Sequence, residues 1–130
     1  HNAGATSPSA TTGHPAGGHY SWYFLPTINV YSGGIGGALP LCFTEFGYVS
    51  GEGYGELPPN WSWGSHITVA DQAAWLAEGV QIARSLGYIR LMIIWNVDLT
   101  YWGDDPQAGY AIVRPDGSCP ACATLGAAMQ

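Results

Sequence analysis

Apolar residues along this chain fall into dense runs separated by stretches of glycine, proline and small polar residues, and the spacing within each run predicts its element. His1 to Gly18 holds only small, polar and turn-forming residues and reads as a loop. The aromatic stretch His19 to Tyr31 predicts a short helix in which Pro26 favours a start or a kink, with a strand as the competing reading. Glycines 33, 34, 36 and 37 end it either way. Leu39 to Phe46, LPLCFTEF, is a nearly continuous apolar run bounded by glycines, which suits a strand buried on both faces. Gly47 to Ile67 then has five glycines, Pro58, Pro59 and four large aromatics, and a loop of that length in a small domain is usually functional.

The strongest helix pattern starts at Thr68, which can cap the first backbone N–H groups while Asp71 reaches back to close a capping box. Val69, Ala73, Leu76, Val80 and Ala83 lay one apolar stripe along it, Arg84 complements the dipole in the last turn, and Gly87 supplies the left-handed stop. The helix is placed at Val69 to Leu86. Tyr88 to Trp95, YIRLMIIW, is a second continuous apolar run, so strand, helix and strand form a βαβ unit with parallel strands and right-handed crossover. A loop through Asp104, Asp105 and Gly109 leads to Tyr110–Val113, the turn Arg114–Gly117, and a final helix from about Cys119 to Met129 with Pro120 near its first position.

Composition narrows the class. Charged residues make up only 9% of the 130, while hydrophobic residues reach 47%, and the six Trp and eight Tyr argue for order despite 19 Gly and 9 Pro. Three Arg, no Lys and nine carboxylates give a net charge of −6, which leaves nothing to neutralise a run of phosphates and disfavours nucleic acid or an anionic membrane as partner. No apolar run approaches the roughly 20 residues of a membrane span. The opening stretch lacks the basic and apolar segments of a signal peptide, which suggests a removed start or a piece of a longer chain. Three Cys cannot all pair within the chain. Cys119 and Cys122 can pair with each other, and as a C-x-x-C at a helix start they also raise thiol–disulfide exchange, although a late position after a turn favours a local disulfide or packed thiols. His1, His14, His19 and His66 have no zinc-like spacing, so no metal or cofactor is expected.

The C-terminal ends of parallel strands share one rim, where ligands and catalytic groups gather. Glu45 stands at the end of the first predicted strand, and Trp95 with Asn96 at the end of the second. A carboxylate, an indole and an amide at neighbouring strand ends are suited to a sugar: an acid group for chemistry and an aromatic face for the apolar side of a pyranose. The structural alternative for Glu45 is a rim salt bridge or a loop anchor. Tyr48, Tyr54, Trp61, Trp63, Tyr101 and Trp102 lie in the two rim loops, where they can stack on sugars or pack on one another.

Cys42, Phe43, Thr44, Glu45, Phe46 and Gly47, the helix with Gln72 to Leu76, then Ile94, Trp95 and Asn96, and finally Gly109 to Pro115 with the PDGS turn, resemble the last part of a retaining glycoside hydrolase barrel. The resemblance is to the large clan with catalytic glutamates ending strands four and seven, especially its cellulase-like members, and covers about Tyr20 to the end. It implies an α/β fold, the C-terminal portion of a TIM (β/α)₈ barrel from the end of strand six to helix eight, with residues 1–130 as a single partial domain. It implies Glu45 as nucleophile and Trp95 as a wall of the sugar subsite, and together with the rim positions above it leaves Trp95, Asn96, Tyr48, Trp61, Trp63, Trp102 and His1 as the candidate substrate-binding residues. A retaining enzyme also needs a second carboxyl about 5 Å from the first. The clan carries it in an Asn-Glu pair that this sequence lacks, and neither Glu52 and Glu56 in the loop nor Glu78 on the helix is a natural replacement.

The acid/base is therefore expected in a missing N-terminal part, and the chain alone is expected to be inactive. Its partners would be an oligo- or polysaccharide substrate and either the rest of the barrel or another copy of the chain, because apolar strands leave unpaired edges. The resemblance leans toward a secreted protein, with the compartment otherwise open. A non-catalytic carbohydrate-binding or scaffold protein is the runner-up, and a thiol–disulfide oxidoreductase the third reading.

Overall fold

The element order follows the sequence pattern closely. A computed structural model describes residues 4–130 and contains α1 (Phe24–Gly34), β1 (Leu41–Phe46), α2 (Val69–Leu86), β2 (Ile89–Ile94) and α3 (Pro120–Ala128). Short 3-10 turns occupy Tyr20–Trp22, Pro59–Gly64 and Gln107–Tyr110. The aromatic stretch before the glycines is helical, as the first of its two readings had it. At the start of α2 the capping box is complete: the Thr68 hydroxyl accepts from the Asp71 N–H, and the Asp71 carboxylate accepts from the Thr68 N–H. The Thr68 hydroxyl also donates to the Asp71 carboxylate at 2.6 Å, and this bond first, then that from the Thr68 N–H, holds the carboxyl below its ordinary pKa. Gly87 ends the helix at φ 74°, a left-handed conformation that a side chain would oppose. Arg84 does more than complement its own helix, since its Nη1 donates to the Ala128 carbonyl at 2.6 Å and caps the end of α3.

β1 and β2 pair in parallel, joined through α2. Phe24 and Ile28 of α1, Phe43 and Phe46 of β1, Ala73 and Leu76 of α2, and Ala121 and Leu125 of α3 form one apolar core. Gly79 brings α2 close to the sheet: a Cβ there would strike the Phe46 ring. All three helices thus feed one side of the sheet. On the other side Leu91, Ile93 and Trp95 are exposed at alternate positions. The continuous apolar runs suggested burial on both faces, but among the described residues only one face is covered.

The barrel expectation is corrected by this architecture. The sheet has two strands, and the chain forms a small layered unit of helices on a two-stranded parallel sheet rather than a portion of a TIM barrel. The local βαβ pattern is common to many α/β folds and does not by itself imply closure into a ring. Residues 4–18, which the barrel register placed just after a sixth strand, contain no β-forming run and pack as an ordered coil against the helices. Ala5 O accepts from His66 Nε2 at 2.9 Å, Ser9 N donates to Glu78 Oε1 at 3.1 Å, and Tyr23 Oη bridges His14 N and Gly17 O at 3.0 Å each. His14 is buried with its imidazole stacked on Trp22, 4.5 Å between centroids. Cys119 and Cys122 form a disulfide at the start of α3, and Cys42 is free and exposed.

Candidate functional site

Strict alternation along β1 would turn Glu45 inward with Phe43. The register prevents this, because Phe43 pairs with Met92 and Phe46 with Ile94, so three steps on β1 oppose two on β2. The extra residue lets both Phe43 and Phe46 enter the core while Thr44 and Glu45 are both exposed. Such irregularities re-aim side chains and recur beside active sites. Among the described residues, nothing donates a hydrogen bond to the Glu45 carboxylate or pairs with it.

The two strand ends meet immediately beyond Glu45. Trp95 N donates to Phe46 O at 2.8 Å, and Gly47 lies so close that a Cβ would run into the Trp95 carbonyl and the Tyr110 ring. The glycine of the TEFG stretch is therefore required by a close backbone approach. The Trp95–Asn96 peptide is cis. The Trp95 indole is 37% exposed, and its Nε1–H donates to Gln107 Oε1 at 2.7 Å. Glu45 and Trp95 are thus brought to one rim.

The remaining candidates separate. Asn96 is buried and its amide is committed to backbone: Nδ2 donates to Gln107 O and Oδ1 accepts from Leu99 N, both at 2.9 Å. Tyr48 is 0% exposed and packs between Phe46 and Trp75, so its ring offers no surface to a ligand. Trp102 stacks on Tyr54 at 4.8 Å, and the Arg114 guanidinium lies 5.0 Å over the other partner of that stack, the Tyr54 ring. Trp61 meets Trp63 and the edge of Tyr110, and Trp63 meets His14. These loop rings pack chiefly on one another, although Trp61, Trp63 and Trp102 keep part of their surface. His1 lies outside the described residues.

Two buried polar side chains that the sequence reading did not single out stitch the rim loops together. Gln72, on α2 and 0% exposed, donates to Tyr48 O and Gly109 O. Arg114 is 5% exposed and fans onto the carbonyls of Ala111 and Glu52 at 3.0 and 2.6 Å, with longer bonds to Ser50 and Gly109. Burial lowers its pKa, opposed by Tyr54, Glu52 and Asp116. Gln72 had a visible signal, since it stands four residues before Leu76 on the apolar stripe. Burial, reinforced by nearby Asp105, raises the Tyr110 phenol above its ordinary pKa.

A cleft of about 670 Å³ opens in the 47–67 loop, lined in part by Glu52, Glu56, His66 and Thr68. Neither Glu45 nor Trp95 lines it, and Glu52 is already held at the start of α2 by the Val69 N–H at 2.7 Å. Among the described residues no three His, Cys, Asp or Glu side chains converge as metal ligands, and no helix is long and apolar enough to cross a membrane. No family model, curated protein or solved structure matches the chain. The rim is accordingly interpreted from its own chemistry.

Proposed function

We propose that the chain handles saccharides at the rim of its sheet, with Trp95 as stacking platform and Glu45 as the nucleophile of a retaining glycosidase whose acid/base carboxyl lies outside these 130 residues. The observation that carries this reading is the re-aimed Glu45, an exposed carboxylate without a hydrogen-bond partner among the described residues, on the same rim as a half-exposed indole. In the first step a Glu45 oxygen attacks the anomeric carbon as the bond to the leaving oxygen breaks, and the outside carboxyl protonates that oxygen. Water then displaces Glu45, and its proton goes to the same outside group.

Five other carboxylates are otherwise engaged. Glu52 accepts from Val69 N, Asp71 closes the capping box, Glu78 accepts from Ser9 N, Asp105 accepts from Gln107, and Asp116 accepts from Ser118 N. That engagement favours a second reading, a carbohydrate-binding protein that performs no chemistry.

The test separates the two. A 2-deoxy-2-fluoroglycosyl fluoride carries a leaving group that departs without protonation, so a lone nucleophile can be trapped. The chain is incubated with gluco-, xylo- and manno-configured fluorides, and is titrated in parallel with the matching oligosaccharides while the indole N–H signals are followed. We expect one glycosyl adduct mapped to Glu45 and absent in Glu45→Gln, and an affinity that falls about tenfold in Trp95→Ala, the scale of one lost aromatic stacking contact. Binding that depends on Trp95 with no adduct selects the second reading. Neither binding nor adduct overturns both.

A further inference from the structure

We infer that Asp105 and Gln107 are the positioning device of Trp95, engaging the polar edge of its indole so that a ligand meets the ring face. The inference rests on Trp95 being the saccharide platform proposed above, and it adds two residues to which the sequence assigned no role in binding.

An indole N–H can only donate, and an ionised carboxylate can only accept. Gln107 stands between one of each: its Oε1 accepts from Trp95 Nε1 at 2.7 Å, and its Nε2 donates to Asp105 Oδ1 at 2.7 Å. The amide therefore has one orientation, since a flip would set donor against donor and acceptor against acceptor. The backbone of Gln107 is fixed as well. Its N–H donates to Asp105 O at 2.8 Å, and its carbonyl accepts from Asn96 Nδ2 at 2.9 Å. Asn96 directly follows Trp95, so backbone and ring of the platform are tied to the same short turn, Gln107–Tyr110.

An exposed aromatic side chain without such ties must be ordered when a ligand stacks on it, and ordering one side chain costs about two- to tenfold in affinity. Here the ordering precedes the ligand. The indole N–H is also already spent on Gln107, which occupies the one side-chain donor with which Trp95 could recognise a hydroxyl.

The test uses Trp95→Phe to assign the Trp95 indole signal, then three further proteins: Gln107→Leu, Asp105→Asn, and Gln107→Glu combined with Asp105→Asn. The double variant reverses the lower hydrogen bond, because the new amide donates to the new carboxylate, which still accepts from the indole. In Gln107→Leu the indole N–H should exchange with solvent at least about tenfold faster, consistent with loss of a protecting bond, and oligosaccharide affinity should fall about two- to tenfold. The double variant should recover both. A merely structural role for Gln107 would not give recovery with reversed polarity. Unchanged exchange and affinity in Gln107→Leu overturn the inference, as does a double variant no better than Gln107→Leu. If the wild-type chain binds no saccharide, the function proposed above falls, and the indole exchange rates alone decide whether Asp105 and Gln107 hold Trp95.

Discussion

Replacing Arg114 by Met tests how the rim loops are held, because the substitution keeps most of the apolar stem and removes the fan of donors. The guanidinium makes two short hydrogen bonds, to Glu52 O at 2.6 Å and Ala111 O at 3.0 Å, and two long ones, to Ser50 O at 3.4 Å and Gly109 O at 3.5 Å. Hydrogen bonds from a charged donor contribute about 1.5–3 kcal/mol each, and a buried acceptor left unpaired costs about 1–3 kcal/mol. The consequences differ by carbonyl. Gly109 O keeps the Ser50 N–H at 2.9 Å and Gln72 Nε2 at 3.0 Å, and Glu52, being exposed, can recruit water. Ser50 and Ala111 are buried and bear the loss. Against this stands the desolvation of the guanidinium, which the apolar side chain no longer incurs.

The net expectation for Arg114→Met is a loss of about 2–4 kcal/mol, a large share of the 5–15 kcal/mol typical of a domain. Arg114→Lys should recover less than half of it, since one ammonium cannot reach carbonyls on two loops in the fork geometry of the original. Urea unfolding followed by tryptophan fluorescence at pH 7 measures both changes by linear extrapolation. A loss below about 0.5 kcal/mol for Arg114→Met, smaller than one ordinary hydrogen bond, would refute the reasoning and leave the loops held by Gln72 and the Tyr54–Trp102 stack.

Gly79→Ala should destabilise the chain by about 1–2 kcal/mol in the same assay, even though Ala is worth about 1 kcal/mol more than Gly in a helix, because the new methyl meets the fully buried Phe46 ring. A gain in stability would show that the ring has room to move. His14 gives a pH dependence of definite sign. Burial lowers its pKa in the fold, so below the ordinary value near 6.5 the unfolded chain takes up the extra proton first, and stability, complete above that value, declines as pH falls. Its Nδ1 already accepts from Ala16 N, so protonation also breaks that bond. The slope from this one group cannot exceed about 1.4 kcal/mol per pH unit, and comparing His14→Phe with the wild type between pH 7.5 and 5 should show the variant losing less; equal losses would refute the assignment.

Legibility in the sequence followed the range of the interactions involved. Helix α2 was readable to the residue because its determinants are local: Thr68 and Asp71 at one end, Gly87 at the other, and a stripe at helical spacing between them. The two strands were readable for the same reason, whereas Cys119 and Cys122, which the sequence left open between a local disulfide and packed thiols, are bonded. What lay beyond reach depends on contacts between distant segments. The extra residue at Thr44–Glu45 is visible only once β1 is laid against β2, and Arg114 declares its role only when the carbonyls of Ser50 and Glu52 arrive from another loop. Tyr48 and Asn96 looked like rim groups because their positions in sequence are rim positions, but one turns into the core and the other is spent on the backbone.

The barrel was the largest misreading: it rested on a resemblance of short local segments, which do not specify how many strands join the sheet, and the burial expected of its strands failed with it. Strands apolar on both faces normally lie in parallel sheets covered on both sides, yet here Leu91, Ile93 and Trp95 stand exposed at alternate positions opposite the covered face. The same pattern constrains what the rim can recognise. Of these three side chains only Trp95 has a hydrogen-bonding group, and that group is turned toward Gln107. With that donor engaged, the indole offers a ligand chiefly its flat apolar face, on the same rim as the carboxylate that the register of β1 turns outward. A ligand that suits both must have an apolar face and, at its margin, a centre that a carboxylate attracts or attacks. A pyranose with its anomeric carbon turned toward Glu45 meets that description, whereas a fully polar or anionic ligand would lose the stacking and be repelled by the carboxylate.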